Sequence, residues 1–355
     1  MNDELHNQVM ELLSQPRVYL PEVTALGFQV FRHQFQRLPA YRRLCIARGA
    51  HPDYVESLAE IPAVPTDAFK ETRLFAGDEV THTFRTSGTT GTARGEHHFQ
   101  TLDVYRASLH PTFERFIGTP SRLFFLAPSP EELPDSSLCF MFGELMGRLG
   151  DDESRFFVHL GPDGAWELDT DGLNAGLQRC TDTETPVMLL GTAFAYAALF
   201  QTTDDTFALP PGSAVLETGG FKGRAHEITR QELYRAFTDR LGVPRSRCVS
   251  EYSMTELSSQ TYTDELVRGD QATHRLYAPP WLRIFIVDPL TLKPFADRGR
   301  QGLVAFFDLA NVDSVAAIQT SDRGVLHPDG GLELLGRAPD AELRGCSLTI
   351  EELLG

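Results

Sequence analysis

The 355-residue chain predicts an α/β fold with a helical N-terminal cap and a β-rich end. Three observations carry that expectation. Short apolar runs end in glycine, threonine or proline, helix-patterned segments alternate with them, and in the last third only the short apolar runs remain.

From Asn2 to about Arg48 the spacing is helical, with Val30, Phe31, Phe35, Leu38, Tyr41 and Leu44 recurring every three to four residues. Ile61-Pro62-Ala63-Val64-Pro65-Thr66-Asp67 is dense in proline and reads as a connection without regular structure. Arg122 to Ala127, followed by Pro-Ser-Pro, predicts a buried strand. Pro186 to Leu190, before Gly191-Thr192, predicts a second and feeds the apolar run Ala193 to Phe200. Ser213 to Glu217 predicts a third, ending at Thr218-Gly219-Gly220. A helix is expected from Thr229 to Arg240, because Thr229 with Glu232 three residues on makes a capping box. Leu282 to Val287, Leu303 to Asp308 and Gly331 to Leu335 supply the β-rich end. There is no internal repeat. The expected organisation is a helical cap over 1–80, an α/β body over 81–340 and a short tail over 341–355.

Hydrophobic content of 41% and charged content of 23% are ordinary for a water-soluble globular protein. No run approaches the roughly 20 apolar residues that span a bilayer. The polar start Met1-Asn2-Asp3-Glu4 carries no targeting signal, so a cytoplasmic location is expected. Five cysteines without paired short spacing argue against a disulfide framework or a zinc site. A formal charge of −17 disfavours nucleic acid as a partner. It also means that a nucleotide site must bring its own backbone N–H groups, cations and metal ion.

The strongest local signal is Thr86-Ser87-Gly88-Thr89-Thr90-Gly91, followed by Arg94 and Gly95. Glycines let backbone approach phosphate closely, while N–H and hydroxyl groups donate to its oxygens. The string is not a Walker A loop. A Ser/Thr/Gly-rich surface turn is the plain alternative. The string resembles the phosphate-binding motif of the adenylate-forming superfamily, which includes acyl-CoA synthetases, peptide-synthetase adenylation domains and luciferases. Three further segments resemble that superfamily's motifs, in its order. In Glu251-Tyr252-Ser253-Met254-Thr255-Glu256 the resemblance implies ATP contacts for Glu251 and Tyr252, with Tyr252 flanking adenine. Thr255 would meet the α-phosphate and Glu256 would hold Mg²⁺. In Thr320-Ser321-Asp322 it implies that Asp322 takes the ribose hydroxyls. In Gly336-Arg337-Ala338-Pro339-Asp340 it implies that Arg337 holds ribose or phosphate and that Asp340 marks a hinge. Alone, each is matched by a helix cap, a turn or a surface arginine.

A narrower resemblance covers nearly the whole chain. Ile61-Pro62-Ala63-Val64-Pro65 with Phe69-Lys70, Glu217 to Arg224, Ser253 to Gln260, and Arg344-Gly345-Cys346-Ser347-Leu348 are similar to the acyl-protein synthetase (LuxE) family. The resemblance implies the large domain of adenylate-forming enzymes, with stacked sheets. It also implies ATP and Mg²⁺ as cofactors, a long-chain fatty acid as substrate, and an acyl reductase as protein partner. It points to Cys346 as the acyl acceptor, and the neighbouring Arg344 favours its thiolate. Cys45, Cys139, Cys180 and Cys248 are expected to be structural, with Cys139 in the core or lining an acyl pocket.

Only Cys346 to Gly355 follow Gly345, which leaves no room for the mobile C-terminal domain of acyl-CoA synthetases and its lysine. Lys222, Arg224, Arg94 and Arg344 are the cations whose sequence position suits a replacement. With Gly219 and Gly220, Lys222 and Arg224 are candidates for substrate or phosphate contact, and His226 follows them. Surface charge is the alternative for each. Phe124, Phe125, Phe140 and Phe142 line an acyl tunnel or simply fill a core. Two other functions stay open at this stage: an acyl- or aryl-AMP ligase serving a carrier-protein phosphopantetheine or CoA, and a non-catalytic acyl- or nucleotide-binding subunit.

Overall fold

The computed structural model describes residues 2–87, 93–162, 164–219, 229–339 and 344–354. The mixed α/β fold is as expected, and the chain forms two compact units. The first comprises Met1–Thr112, Met254–Gln260 and Tyr277–Gly355; the second comprises Phe113–Ser253 and Thr261–Leu276.

The first unit begins with the helices Asn2–Leu13, Leu20–Arg37 and Pro39–Ala47. The first of the two breaks between them coincides with Pro21 at the start of a helix, the second with Pro39; in this position proline's missing N–H costs nothing. Its sheet is an antiparallel meander of Leu282–Val287, Gln301–Asp308, Ala317–Leu326 and Leu332–Arg337. The buried Gln34 amide joins helix to sheet connection: Nε2 donates to the Asn311 carbonyl at 2.7 Å, and Oε1 accepts from the Ala316 N–H at 3.0 Å. The proline-rich stretch is not wholly irregular. Val64–Pro65 is a short strand running parallel to Ala317–Leu326, opposite Ile318 and Gln319. Pro65 is tolerated there because Thr66, the next residue, supplies the donor, bonding the Gln319 carbonyl at 3.0 Å. A separate hairpin pairs His82–Arg85 with Glu96–Phe99.

In the second unit, Cys248–Tyr252, Ala214–Thr218, Met188–Thr192, Leu123–Leu126 and Arg155–Phe156 run parallel in that order, and Thr261–Thr263 pairs antiparallel with the first. Three strands expected from sequence are present, shifted by one or two residues at their ends. The apolar run after Thr192 is the helix Ala193–Thr202, capped by the Thr192 hydroxyl. The helix Arg230–Leu241 has the expected Thr229/Glu232 capping box and stops at Gly242, whose φ of 68° suits glycine. Leu173, Leu177, Tyr196, Leu199, Leu233 and Phe237 pack with Phe124 and Leu126 in one core. Phe125 stacks on Phe156 and tilts against Phe142, so Phe124, Phe125 and Phe142 fill the interior rather than lining an open tunnel. Among the described residues no helix is long and apolar enough to cross a membrane.

Candidate active site

Gly88 to Gly91 of the phosphate-loop motif lie outside the described residues, but both ends of that loop are defined. Thr86 and Gly95 clamp its base: the Thr86 N–H donates to the Gly95 carbonyl at 2.9 Å, and the Gly95 N–H donates to the Thr86 hydroxyl at 2.8 Å. Gly95 is required by this closeness, because a Cβ there would lie 3.1 Å from Thr86 Cγ2 and 3.3 Å from Phe69 Cβ. Ser87 is exposed at the edge of the loop. Arg94, one of the cations singled out from sequence, donates through Nε to the Thr86 carbonyl at 2.7 Å and through Nη2 to the Arg85 carbonyl at 3.2 Å. It braces the loop's base.

Thr255 and Glu256 follow in the same unit. The Thr255 carbonyl meets Nδ1 of His97 at 2.8 Å. A carbonyl only accepts, so His97 carries its proton on Nδ1. Burial holds His97 down to about 4, which keeps the ring neutral at physiological pH. Phe69 packs edge-on against that ring at 5.8 Å, bringing the short helix Ala68–Glu71 to the motif.

Glu256 is only 6% exposed. Burial pushes its carboxyl up to about 7, and Asp67 adds to the rise, while Lys70 and Arg337 oppose it. Lys70 Nζ in turn lies 2.6 Å from Asp67 Oδ1. The segment after Glu256 is pinned by two buried side chains. Asp308 accepts from the N–H groups of Ser258 and Ser259 at 2.9 and 2.8 Å and from the Ser259 hydroxyl at 2.7 Å. Asn311 donates to the Glu256 carbonyl at 2.7 Å and accepts from the Ser258 N–H at 2.9 Å.

Asp322 and Arg337 stand directly opposite each other on adjacent antiparallel strands, with Nε and Oδ1 3.9 Å apart. Arg337 is 84% exposed, so its guanidinium has access to a ligand. Thr320 is buried and bonds the Val304 carbonyl at 2.8 Å, while its hydroxyl accepts from the Asp322 N–H at 3.1 Å.

The second unit holds Gly219, Glu251 and Tyr252. Gly219 follows the strand Ala214–Thr218 with φ of 87°, a conformation that admits glycine, and no atom crowds its α-carbon. Glu251 is buried and accepts from the Thr218 hydroxyl; burial raises its carboxyl to about 7, with neighbouring Glu217 adding to the rise. Tyr252 ends the strand and its carbonyl accepts from the Thr261 hydroxyl at 2.8 Å. Gly220, Lys222, Arg224 and His226 lie outside the described residues, as does Asp340. Cys346 and Arg344 lie on the helix Arg344–Leu354, their side chains outside the described part. The remaining cysteines are buried, and burial lifts the thiols of Cys45 and Cys248 to about 12 and that of Cys139 to about 11.

Lys70, Asp67, His97, Asp308 and Asn311 were not assigned roles from sequence. Phe69-Lys70 marked the family resemblance alone.

The model of the acyl-protein synthetase (LuxE) family matches residues 23–355. The chain belongs to that family. It is 22% identical over 363 residues to the long-chain-fatty-acid–luciferin-component ligase of Vibrio harveyi, covering 91% of this chain and 85% of that protein. The protein of the same name from Aliivibrio fischeri is also 22% identical, over 92% of this chain and 87% of its own. Among solved structures, an open conformation of 2-hydroxyisobutyryl-CoA ligase in complex with 2-HIB-AMP and CoA superposes with a TM-score of 0.62 at 16% identity, covering 90% of this chain and 71% of that one. ATP-bound MatB from Rhodopseudomonas palustris has a TM-score of 0.52 at 19% identity over 73% of this chain; the match spans about half, 48%, of MatB. The acyl-protein synthetase therefore has the fold of adenylate-forming enzymes.

Proposed function

We propose that this ligase activates a long-chain fatty acid as acyl-AMP using ATP, then takes the acyl group onto Cys346 for delivery to an acyl reductase. The observation that carries the reading is the grouping in one unit of Thr255, Glu256, Asp322 and Arg337, with the charges of Lys70 and Arg337 acting on the Glu256 carboxyl.

In the first step a carboxylate oxygen of the fatty acid attacks the α-phosphorus of ATP, and pyrophosphate leaves with the bonding electrons. Asp322 accepts hydrogen bonds from ribose hydroxyls, and Arg337 places its charge beside them. The His97 bond to the Thr255 carbonyl fixes the backbone, so that the Thr255 hydroxyl meets the α-phosphate without reorganising. The buried Glu256 carboxyl, in its ionised form, would hold Mg²⁺ through the oxygen ligand that ion takes. So held, the ion would supply positive charge at the phosphates. Lys70, whose charge acts on Glu256, is the cation offered for the phosphates.

In the second step the Cys346 sulfur attacks the acyl carbonyl of acyl-AMP. The C–S bond forms, the C–O bond to AMP breaks, AMP departs with the electron pair and the thiol proton passes to solvent. A thioester keeps enough activation for a second thiol on the reductase.

The test is ATP–pyrophosphate exchange dependent on a long-chain fatty acid and Mg²⁺, combined with hydroxylamine-labile labelling of the protein by radioactive fatty acid. The reading expects both. Exchange with acylation of a carrier thiol but never of the protein would replace the second step, and absence of exchange would remove the first.

A further inference from the structure

A cavity of about 640 Å³ lies within the first unit, and neither Glu256 nor Asp322 is among its lining residues. Its volume is within the roughly 300–1,000 Å³ of small-molecule sites, and like them it is walled mainly by apolar side chains. Leu44, Leu58, Ile61, Phe285, Phe295 and Phe307 supply most of the wall. Three charged residues, Arg48, Glu60 and Lys293, are on its lining, and the first two are engaged elsewhere. Arg48 bonds Glu352 at 2.6 Å and the Thr349 hydroxyl at 2.9 Å; Glu60 accepts from the Ser57 hydroxyl at 2.9 Å and the Glu56 N–H at 3.1 Å. The apolar remainder of the lining suits a hydrocarbon chain.

The cavity touches the C-terminal helix. Thr349 lines it, is 2% exposed, and sits on the helix Arg344–Leu354. Cys346 is three residues earlier on that helix, so their backbones are separated by about 4.5 Å along the axis. That helix is fastened to Pro39–Ala47 and its exit by Arg43, which donates to the Leu353 carbonyl at 2.8 Å, and by Arg48.

We infer that this cavity shelters the hydrocarbon chain of the acyl group while it is carried on Cys346; the inference rests on Cys346 being the acceptor. A long chain left in water would be driven to any apolar surface, since each buried methylene favours burial about fourfold. The cavity gives that chain a place of defined composition, one turn from its point of attachment. Water is kept from the thioester by the same burial. The occupant is the covalent acyl chain, and free fatty acid or a pantetheine arm is the alternative to be excluded.

The test uses the full chain, ATP, Mg²⁺ and a long-chain fatty acid with a photoreactive diazirine at its methyl end. After acylation and removal of unbound acid, irradiation is expected to attach the chain end to Ile61, Ala63, Phe285, Phe295 or Phe307, and these adducts are expected to vanish in Cys346→Ser. Narrowing the cavity in Ala59→Trp or Ala63→Trp should shift the adducts out of it and speed spontaneous hydrolysis of the thioester by about tenfold; two variants on different parts of the wall are used because either alone could perturb folding, which circular dichroism and exchange activity report. Adducts that persist in Cys346→Ser would make the cavity a free fatty-acid site and overturn the inference. A Cys346 thioester whose chain end reacts only elsewhere would overturn it while leaving the proposed function intact. Absence of any label on Cys346 would overturn both.

Discussion

The Thr255–Gln260 segment and the C-terminal helix Arg344–Leu354 are held in opposite ways. Glu256 is buried, its carbonyl is bonded by Asn311, and the two residues after Leu257 are pinned by Asp308. The helix is fastened through partly exposed arginine contacts, Arg48 to Glu352 and Arg43 to terminal carbonyls, together with the buried Thr349 and Leu353. Such exposed pairs are worth about 0–1 kcal/mol each, whereas removing a partner from buried donors costs about 1–3 kcal/mol. The difference matches two kinds of chemistry. Adenylation needs charges that are in place before the phosphates arrive. Handing an acyl group to another protein needs a carrier segment that lets go.

The largest effect should come from disturbing the pinned segment at its carboxylate. Glu256→Gln is expected to reduce fatty-acid-dependent pyrophosphate exchange by about 10²–10³-fold or more, because an amide cannot neutralise the cation at the phosphates. The same carboxyl gives a pH test. Its value in the folded protein is raised from 4.5 to about 7 by burial, so it is protonated below that pH and charged above it. Exchange at limiting Mg²⁺ should therefore rise as pH increases through about 7, and this slope should be absent from any residual activity of Glu256→Gln. The linked stability term has the opposite sign: a raised folded value means this group's contribution falls as pH climbs from the ordinary carboxylate range towards 7. His97, held down to about 4, stays neutral across that window and does not produce the slope.

A smaller effect is expected at Lys70. Lys70→Ala should lower the exchange rate about 10–100-fold with little change in the apparent affinity for the fatty acid, and Lys70→Arg should restore part of it. Loss of thermal stability without a rate defect would assign Lys70 to the Asp67 ion pair alone. The smallest effect belongs to the tail. Arg48→Ala should cost about 1 kcal/mol of stability, because it loses a partly exposed pair with Glu352 and a bond to the Thr349 hydroxyl. Amide hydrogen exchange over 344–354 should nevertheless quicken, while pyrophosphate exchange stays unaltered. A tail as protected as in the parent would contradict the contrast between the two regions.

Much of this was legible in the sequence. The strands Leu123–Leu126, Ala214–Thr218 and Leu282–Val287 announce themselves as apolar runs between glycines and prolines, and Thr229 with Glu232 marks a helix start to within a residue. Thr255, Glu256, Asp322 and Arg337 were singled out by the resemblance of short motifs, and the fold brings all four into one unit. Their supports were not singled out. His97 acts on Thr255 across 158 residues of chain, and Asp308 on Ser259 across 49, so neither leaves a local pattern. The Val64–Pro65 strand was hidden by its prolines, since only the sheet edge it meets makes that sequence compatible with pairing. The cavity beside Thr349 is likewise a product of distant segments, built from the 44–63 stretch, three strands, the 291–296 connection and the last helix.

The measurement that tests the account most directly is made on Cys346→Ser, with pyrophosphate exchange and covalent acylation followed in the same preparation. Serine is close in size to cysteine but almost wholly protonated at neutral pH, so it is a far weaker nucleophile. The account predicts exchange at the parental rate, because Glu256, Asp322 and Arg337 are untouched, together with loss of hydroxylamine-labile acyl label and of acyl delivery to a reductase. A Cys346→Ser protein that forms the thioester at full yield, or one that loses exchange along with it, would contradict the separation of activation from capture.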